Sequence, residues 1–212
     1  PNYLIKGITE FNLLTGGKTI LLACLCAGIS VIFCIMLHSF GKVFKTFSSN
    51  PYERVFFGGT VILCITLILG TTRYSGTGIE VIASAIGGTA RNSDFFWKML
   101  FTAITLACGY KGGEIIPSFF VGATFGCVIA PVLGLSSSLG AAIGMVSVFC
   151  GVTNCPIASL LIALELFGKA PILYFLLAIA ISYMLSGYYS LYKTQIIAVS
   201  KYKNEYVDKK TH

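Results

Sequence analysis

The sequence has 212 residues, of which 56% are hydrophobic and only 11% are charged. Because soluble domains carry about 25% charged residues, this composition excludes an ordinary soluble domain and indicates a polytopic membrane protein. The formal net charge of +7 does not indicate a nucleic-acid partner, because the basic residues lie in short polar segments between long apolar runs.

The first half of the chain predicts helices of unequal length separated by turn-forming segments. Residues 1–16 are expected to form a loop or surface segment. A helix that spans a bilayer needs about 20 apolar residues, and shorter apolar runs are typical of partial or re-entrant segments. Asp94 is a possible cap of the last helix in this half. The predicted helices are Gly17–Phe47, Tyr52–Thr71, Ile79–Ile86 and 94–109.

The second half predicts further helices, again broken by glycine, proline and serine. They are Pro117–Ile129, Leu139–Cys150, Pro156–Phe167, Ile172–Leu185 and Leu191–Tyr206, followed by a tail at 207–212. Irregular backbone at membrane depth is tolerated only where protein buries it or where it lines a cavity. We therefore predict an all-α polytopic membrane protein with broken and re-entrant helices.

The distribution of lysines predicts the orientation of the C-terminus. Cytoplasmic segments of membrane proteins carry an excess of lysine and arginine, so we expect the tail to lie in the cytoplasm. The residues concerned are Lys193, Lys201, Lys203, Lys209 and Lys210.

Two pairs of glycines are spaced for close helix packing. Gly122 and Gly126 are four residues apart, as are Gly140 and Gly144. Small residues at this spacing let membrane helices approach closely. We expect these contacts inside one subunit rather than at a dimer interface.

The cysteines and histidines do not predict a metal site or a cofactor. The eight cysteines lie inside apolar runs without a C-x-x-C pair, and the two histidines are His38 and His212. Buried cysteine behaves as a small apolar packing residue. The sequence also lacks the H-E-x-x-H and G-x-S-x-G motifs of common hydrolases, so we do not expect an enzyme.

One motif, at residues 109–126, points to a binding site. Gly112 and Gly113 allow a sharp turn, and Pro117 belongs in the first turn of a helix because it has no amide hydrogen. The helix that begins here leaves its first amides without partners inside the helix, and the positive end of its dipole favours an anion. The unpaired amides are those of Glu114, Ile115 and Ile116. The alternative is a kinked re-entrant loop whose amides bind neighbouring carbonyls or water.

Glu114 has several possible roles in this motif. Its carboxylate could accept hydrogen bonds from the first amides of its own helix. At membrane depth an ionisable group is a functional candidate, so Glu114 could also exchange protons or act as a gate. At the surface it would be only a helix cap.

These residues resemble motifs of the CLC family of anion channels and exchangers. The segment Gly112–Pro117 is similar to the family's GGxFxP pattern, with Glu114 in the variable third position and Ile115 in place of the phenylalanine, and Gly122–Gly126 follows as a small-residue stretch. Phe149–Pro156 with Leu164–Gly168 resembles the family's paired short helices, including Glu165. Ser186–Gln195 resembles the start of its last helix, where Tyr192 matches a tyrosine whose hydroxyl contacts the central anion.

The resemblance implies a fold and a function. The chain would be the C-terminal half of an inverted-repeat transporter that forms a homodimer with one pore in each subunit. The anion would be a halide, held by the amides of Glu114, Ile115 and Ile116 and by the Tyr192 hydroxyl. The missing N-terminal half would supply a G-x-E-G-P motif with its gating glutamate, which does not occur in these 212 residues.

The GGE variant resembles the fluoride-exporting bacterial branch, which implies fluoride export coupled to proton import across a bacterial plasma membrane. Two alternatives stay open. One is a chloride channel or chloride/proton exchanger, and the other is a membrane scaffold or assembly fragment that does not transport. Without the resemblance, Tyr192 alone would be read as an aromatic residue at the membrane interface.

Overall fold

The computed structural model describes residues 3–8, 10–47, 49–192, 194–203 and 205–211. Its helices are α1 (Leu13–Phe47), α2 (Pro51–Leu69), α3 (Ile79–Ile86), α4 (Asp94–Ala107), α5 (Ile115–Ile129), α6 (Ser137–Thr153), α7 (Pro156–Phe167) and α8 (Ile172–Leu185). A 3-10 turn at Ala130–Leu133 extends α5, and the strands are β1 (Ile196–Val199) and β2 (Tyr206–Lys210). The prediction of a helical protein with short, broken segments is confirmed, and the predicted order of the elements holds through α8.

Length and composition make three segments of the described chain long enough and apolar enough to cross a membrane. They are Leu13–Thr46, Pro51–Leu69 and Ile115–Leu133, and α6, α7 and α8 are shorter apolar helices. α6 lies at the centre, where nearly all of its side chains are buried. α2 lies at the margin, with Gly58 as its buried residue.

The two glycine pairs join α5 to α6 inside this chain, as the spacing predicted. A Cβ atom added at Gly126 would lie 2.1 Å from the backbone oxygen of Gly140. One added at Gly122 would lie 2.4 Å from the backbone oxygen of Gly144. Because no side chain fits in such a space, the two backbones touch directly and fix the position of α5.

The loop between α2 and α3 is tied to the start of α4 by a buried carboxylate. Asp94 is fully buried and accepts hydrogen bonds from Arg73 Nη2 at 2.9 Å and from the Tyr74 hydroxyl at 2.7 Å. It also accepts one from the Arg91 amide at 3.1 Å. The prediction that Asp94 caps α4 is wrong, because Ser93 holds the cap position and the arginine draws the carboxylate toward the loop.

The predicted last helix, Leu191–Tyr206, is wrong. β1 and β2 form an antiparallel two-stranded sheet in which Ile196 pairs with Lys210. The chain leaves α8 and binds the end of α6, where the Leu191 amide donates to the Val152 carbonyl at 2.9 Å. The β-branched residues Ile196, Ile197 and Val199 that follow suit a strand. Most of the predicted tail is therefore part of β2.

Candidate anion site at the start of helix α5

The start of α5 has the geometry that the glycines and Pro117 predicted. Glu114 precedes the helix with φ −94° and ψ −18°, and its side chain makes no capping hydrogen bond. The Ser118 hydroxyl donates to the Ile115 carbonyl at 2.6 Å. The Ser118 amide donates to the Glu114 carbonyl at 3.2 Å and closes the first turn. The carboxylate of Glu114 therefore does not satisfy the first amides of its own helix.

The amides of Ile115 and Ile116 have no acceptor within the described part of the chain. An unpaired amide in hydrocarbon costs several kcal/mol. These two groups are thus available to a ligand, to water or to another chain. Ile115 is partly open, with 43% of its surface exposed.

One cavity beside this helix start contains Tyr192, and we call it the Tyr192 cavity. Its volume is about 410 Å³, and Glu114 and Tyr192 both line it. The Tyr192 hydroxyl has no hydrogen-bond partner among the described residues, and 41% of the residue's surface is exposed. The other lining residues are Leu37, His38, Gly41, Lys45, Leu106, Ala107, Leu191 and Thr194.

A second cavity lies on another side of the same helix start, and we call it the Lys98 cavity. Its volume is about 250 Å³, and Gly112, Gly113, Ile116 and Pro117 form part of its wall. Lys98, on α4, lines this cavity and is 3% exposed. The helix start therefore forms part of the wall of both cavities.

Lys98 is a buried cation whose recorded partners are neutral. Its Nζ donates to the carbonyls of Tyr74 and Gly76, and it lies 5.2 Å from the centre of the Phe120 ring. No ion pair with Lys98 occurs among the described residues, where the recorded salt bridge joins Arg73 and Asp94. The lysine ties the loop after α2 to α4 and leaves a positive charge near the α5 start.

The structure brings together some of the predicted site residues. Glu114 and Tyr192 line one cavity, which the sequence alone could not place in contact. Ile116 lines the Lys98 cavity instead, and Ile115 lines neither of the two cavities. Sequence reasoning missed Lys98, although a lone lysine in the apolar stretch 94–107 is a signal. Glu165 is exposed on α7 and has no hydrogen bond to the described residues.

A search of the described residues finds no group of three or more histidine, cysteine or acidic side chains able to hold a metal ion.

Comparison with known proteins gives consistent matches. The family model described as voltage gated chloride channel matches residues 2–187. A chloride/fluoride channel protein of Pseudomonas syringae pv. tomato is 34% identical over 178 residues, which are 81% of this chain and 39% of that protein. An uncharacterized protein of Methanocaldococcus jannaschii is 23% identical over 184 residues, covering 77% of this chain and 47% of that protein.

A solved structure agrees with the sequence matches. The crystal structure of a CLC-type fluoride/proton antiporter has a TM-score of 0.86 and 26% sequence identity to this chain. The match covers 90% of this chain and 49% of the other chain. The chain thus spans about half the length of the proteins that it resembles, or less.

Proposed function

The chain belongs to the voltage-gated chloride channel (CLC) family, and from this premise we propose that it is the C-terminal half of a halide transporter. In this proposal the complete protein exports fluoride and imports protons. An anion is held at the start of α5 by the amides of Glu114, Ile115 and Ile116 and by the Tyr192 hydroxyl. The transport step makes and breaks no covalent bond.

The observation that carries the proposal is a set of hydrogen-bond donors without partners among the described residues, at and near the start of α5. The amides of Ile115 and Ile116 have no acceptor within the described chain, and Tyr192 lines a cavity together with Glu114. A small anion loses much hydration energy on entering a membrane, and oriented amides and hydroxyls can replace the lost water. These donors carry no full charge, so the anion can also leave.

The choice of fluoride and protons rests on the GGE motif and on relatives. One relative is called a chloride/fluoride channel protein, and the structural neighbour is a fluoride/proton antiporter. In our proposal Glu114 carries the proton, because an ionisable side chain at this position lies beside the anion and lines the same cavity.

The proposal includes a second half of the protein. About half of the antiporter chain has no counterpart in this chain, and helix ends of that half would complete the donor set. We further propose a homodimer in a bacterial plasma membrane with the C-terminus in the cytoplasm. Ion-conducting helix ends near the midplane are the arrangement that broken-helix transporters use.

Flux from liposomes tests the proposal. The complete transporter is reconstituted in vesicles loaded with fluoride or with chloride, and anion efflux and internal pH are followed together. We expect fluoride efflux to exceed chloride efflux and protons to enter as fluoride leaves. Chloride efflux of equal size would support a chloride transporter, fluoride efflux without pH change would support a channel, and no efflux of either ion would support a scaffold.

A further inference from the structure

The end of α6 is capped by the segment that carries Tyr192. The last carbonyls of a helix have no partner within the helix, and buried ones need donors from elsewhere. Here the Leu191 amide donates to the Val152 carbonyl at 2.9 Å. The Gln195 side chain donates through Nε2 to the Thr153 carbonyl at 3.0 Å. Both acceptors are buried, so this segment docks on the most buried helix of the protein.

The Tyr192 backbone is held on its amide side by a buried serine. The Tyr192 amide donates to Ser190 Oγ at 3.2 Å, and the Ser190 hydroxyl donates to Gln195 Oε1 at 2.6 Å. Ser190 is fully buried. Gln195 therefore uses both ends of its amide, one on Ser190 and one on α6, and fixes the turn in which Tyr192 lies.

The end of the β-hairpin holds the carbonyl side of Tyr192. The Thr211 hydroxyl donates to the Tyr192 carbonyl at 2.7 Å, and the Thr211 amide donates to the Gln195 carbonyl at 3.1 Å. Thr211 is 8% exposed. Strand β2 thus brings Thr211 back beside Tyr192 and Gln195, which precede β1.

A lysine fastens the hairpin to the ends of α6 and α8. Lys201 Nζ donates to the Asn154 side-chain oxygen, to the Tyr183 carbonyl at 2.8 Å and to Ser186 Oγ at 3.2 Å. Nζ also lies 4.1 Å from the centre of the Tyr183 ring. Cations are favoured at helix C-termini, where the dipole is negative.

We propose that the β1–β2 hairpin is a clasp that positions the Tyr192 hydroxyl for the anion, with Gln195 and Thr211 as positioning residues. This inference rests on the proposed function. Tyr192 is 41% exposed and its hydroxyl has no partner among the described residues, so the position of its backbone limits where the hydroxyl can lie. The clasp fixes that backbone from both sides through the two positioning residues.

The test uses the complete transporter in liposomes and a matched pair of variants. Thr211→Val keeps the shape of the side chain and removes the hydroxyl, whereas Thr211→Ser keeps the hydroxyl. We expect Thr211→Val to raise the KM for fluoride efflux about fivefold, the effect of one hydrogen bond. The maximal rate and the Tm stay near their original values, and Thr211→Ser restores the KM. Gln195→Met is a second variant with the same expected direction.

A double variant separates positioning from general stabilisation. If Thr211 acts through the Tyr192 hydroxyl, Thr211→Val has no further effect on KM in a Tyr192→Phe background. Equal KM values for Thr211→Val and the original protein, or effects that add to those of Tyr192→Phe, would overturn the clasp while the anion site stands. An unchanged KM in Tyr192→Phe alone would overturn the proposed role of Tyr192 itself, and the clasp with it.

Discussion

The two ends of α5 are built in opposite ways. Toward its C-terminal end, Gly122 and Gly126 bring the backbone into direct contact with α6, with no room for a side chain. At its N-terminal end, Gly113 has open space where a Cβ would be, and cavities lie on two sides. Rigidity and openness are thus divided along one helix.

The contrast between a tightly packed end and an open end of α5 suits the proposed anion site. Donors replace the hydration of an ion well only if they are oriented before it arrives. The glycine contacts with α6 fix the position of α5, so its start is oriented before an ion arrives. Because the open end depends on the packed end, changes at the two ends should differ in kind and in size.

The largest effect is expected at the packed end. Gly126→Leu puts a branched side chain where even a Cβ lies 2.1 Å from the Gly140 oxygen, so α5 and α6 must separate. We expect loss of the folded protein, measured as loss of a monodisperse peak in size-exclusion chromatography. Gly28→Ala is the control, because a Cβ there meets nothing within 4 Å. Normal folding of Gly126→Leu would refute the rigid contact.

The next largest effect is expected at the open end, on binding alone. Tyr192→Phe removes one donor to an anion, and hydrogen bonds to charged groups contribute about 1.5–3 kcal/mol, so fluoride KM should rise between about tenfold and about a hundredfold. The Tm should stay unchanged. Tyr52→Phe is the control, since Tyr52 is 84% exposed on α2. A KM equal to that of the control would remove Tyr192 from the site.

Glu114→Gln sharpens the distinction between holding the anion and moving the proton. The amide side chain keeps the size of the carboxylate but does not titrate near neutral pH. We expect proton uptake per fluoride exported to fall to a small fraction, while fluoride KM changes less than in Tyr192→Phe. Vesicle pH and fluoride electrode traces recorded together measure both quantities. Unchanged coupling would assign the proton to a residue other than Glu114.

Lys98→Met tests whether both cavities beside the helix start contribute equally to anion binding. The substitution leaves the Tyr74 and Gly76 carbonyls without this donor, at about 1–3 kcal/mol for a buried unsatisfied group. We expect a lower Tm with fluoride KM within about twofold of the original, a change of about 0.4 kcal/mol. Lys98→Arg is the conservative comparison. A rise in KM as large as that of Tyr192→Phe would place the anion in the Lys98 cavity.

The smallest expected effect is a pH dependence of stability that comes from Lys201 of the hairpin. Burial lowers the pKa of Lys201 from its usual value of 10.5 to about 8. Between these pH values the unfolded chain binds more protons than the folded one, so stability rises with pH across that window. Below pH 8 Lys201 is charged in the folded and the unfolded protein, and the folded protein bears the full free-energy cost of burying that charge. We expect the Tm to rise modestly from pH 8 to 10 in the original protein and less in Lys201→Met. Equal slopes of Tm against pH in the two proteins would contradict the lowered pKa of Lys201.

The sequence predicted the elements whose signals are local. The charge-free runs and the glycine and proline breaks gave α1 through α8 with small shifts, such as a start at Leu13 in place of Gly17. The start of α5 was predictable because Gly112 and Gly113 permit a sharp turn and Pro117 belongs in the first turn of a helix. The glycine pairs were predictable for the same reason, since their spacing permits a close contact.

Other features depend on contacts between distant residues. Local propensity allowed a helix from Leu191, whereas in the structure Leu191 and Gln195 donate to carbonyls on α6 and the chain continues as a hairpin. Asp94 resembles a helix cap in the sequence, but in the structure its carboxylate forms a salt bridge with Arg73. The resemblance supplied Tyr192 as a site residue, and spacing alone could not place it in a cavity with Glu114.

The most direct test of the anion site observes the α5 amides themselves. The complete transporter, labelled with ¹⁵N-isoleucine, is titrated with fluoride, and Ile115→Val and Ile116→Val variants assign the two signals. We predict downfield amide proton shifts at both residues that saturate at the fluoride concentration that half-saturates flux, and that move to higher concentration in Tyr192→Phe. Amide shifts that stay fixed while flux saturates would contradict a site at the start of α5.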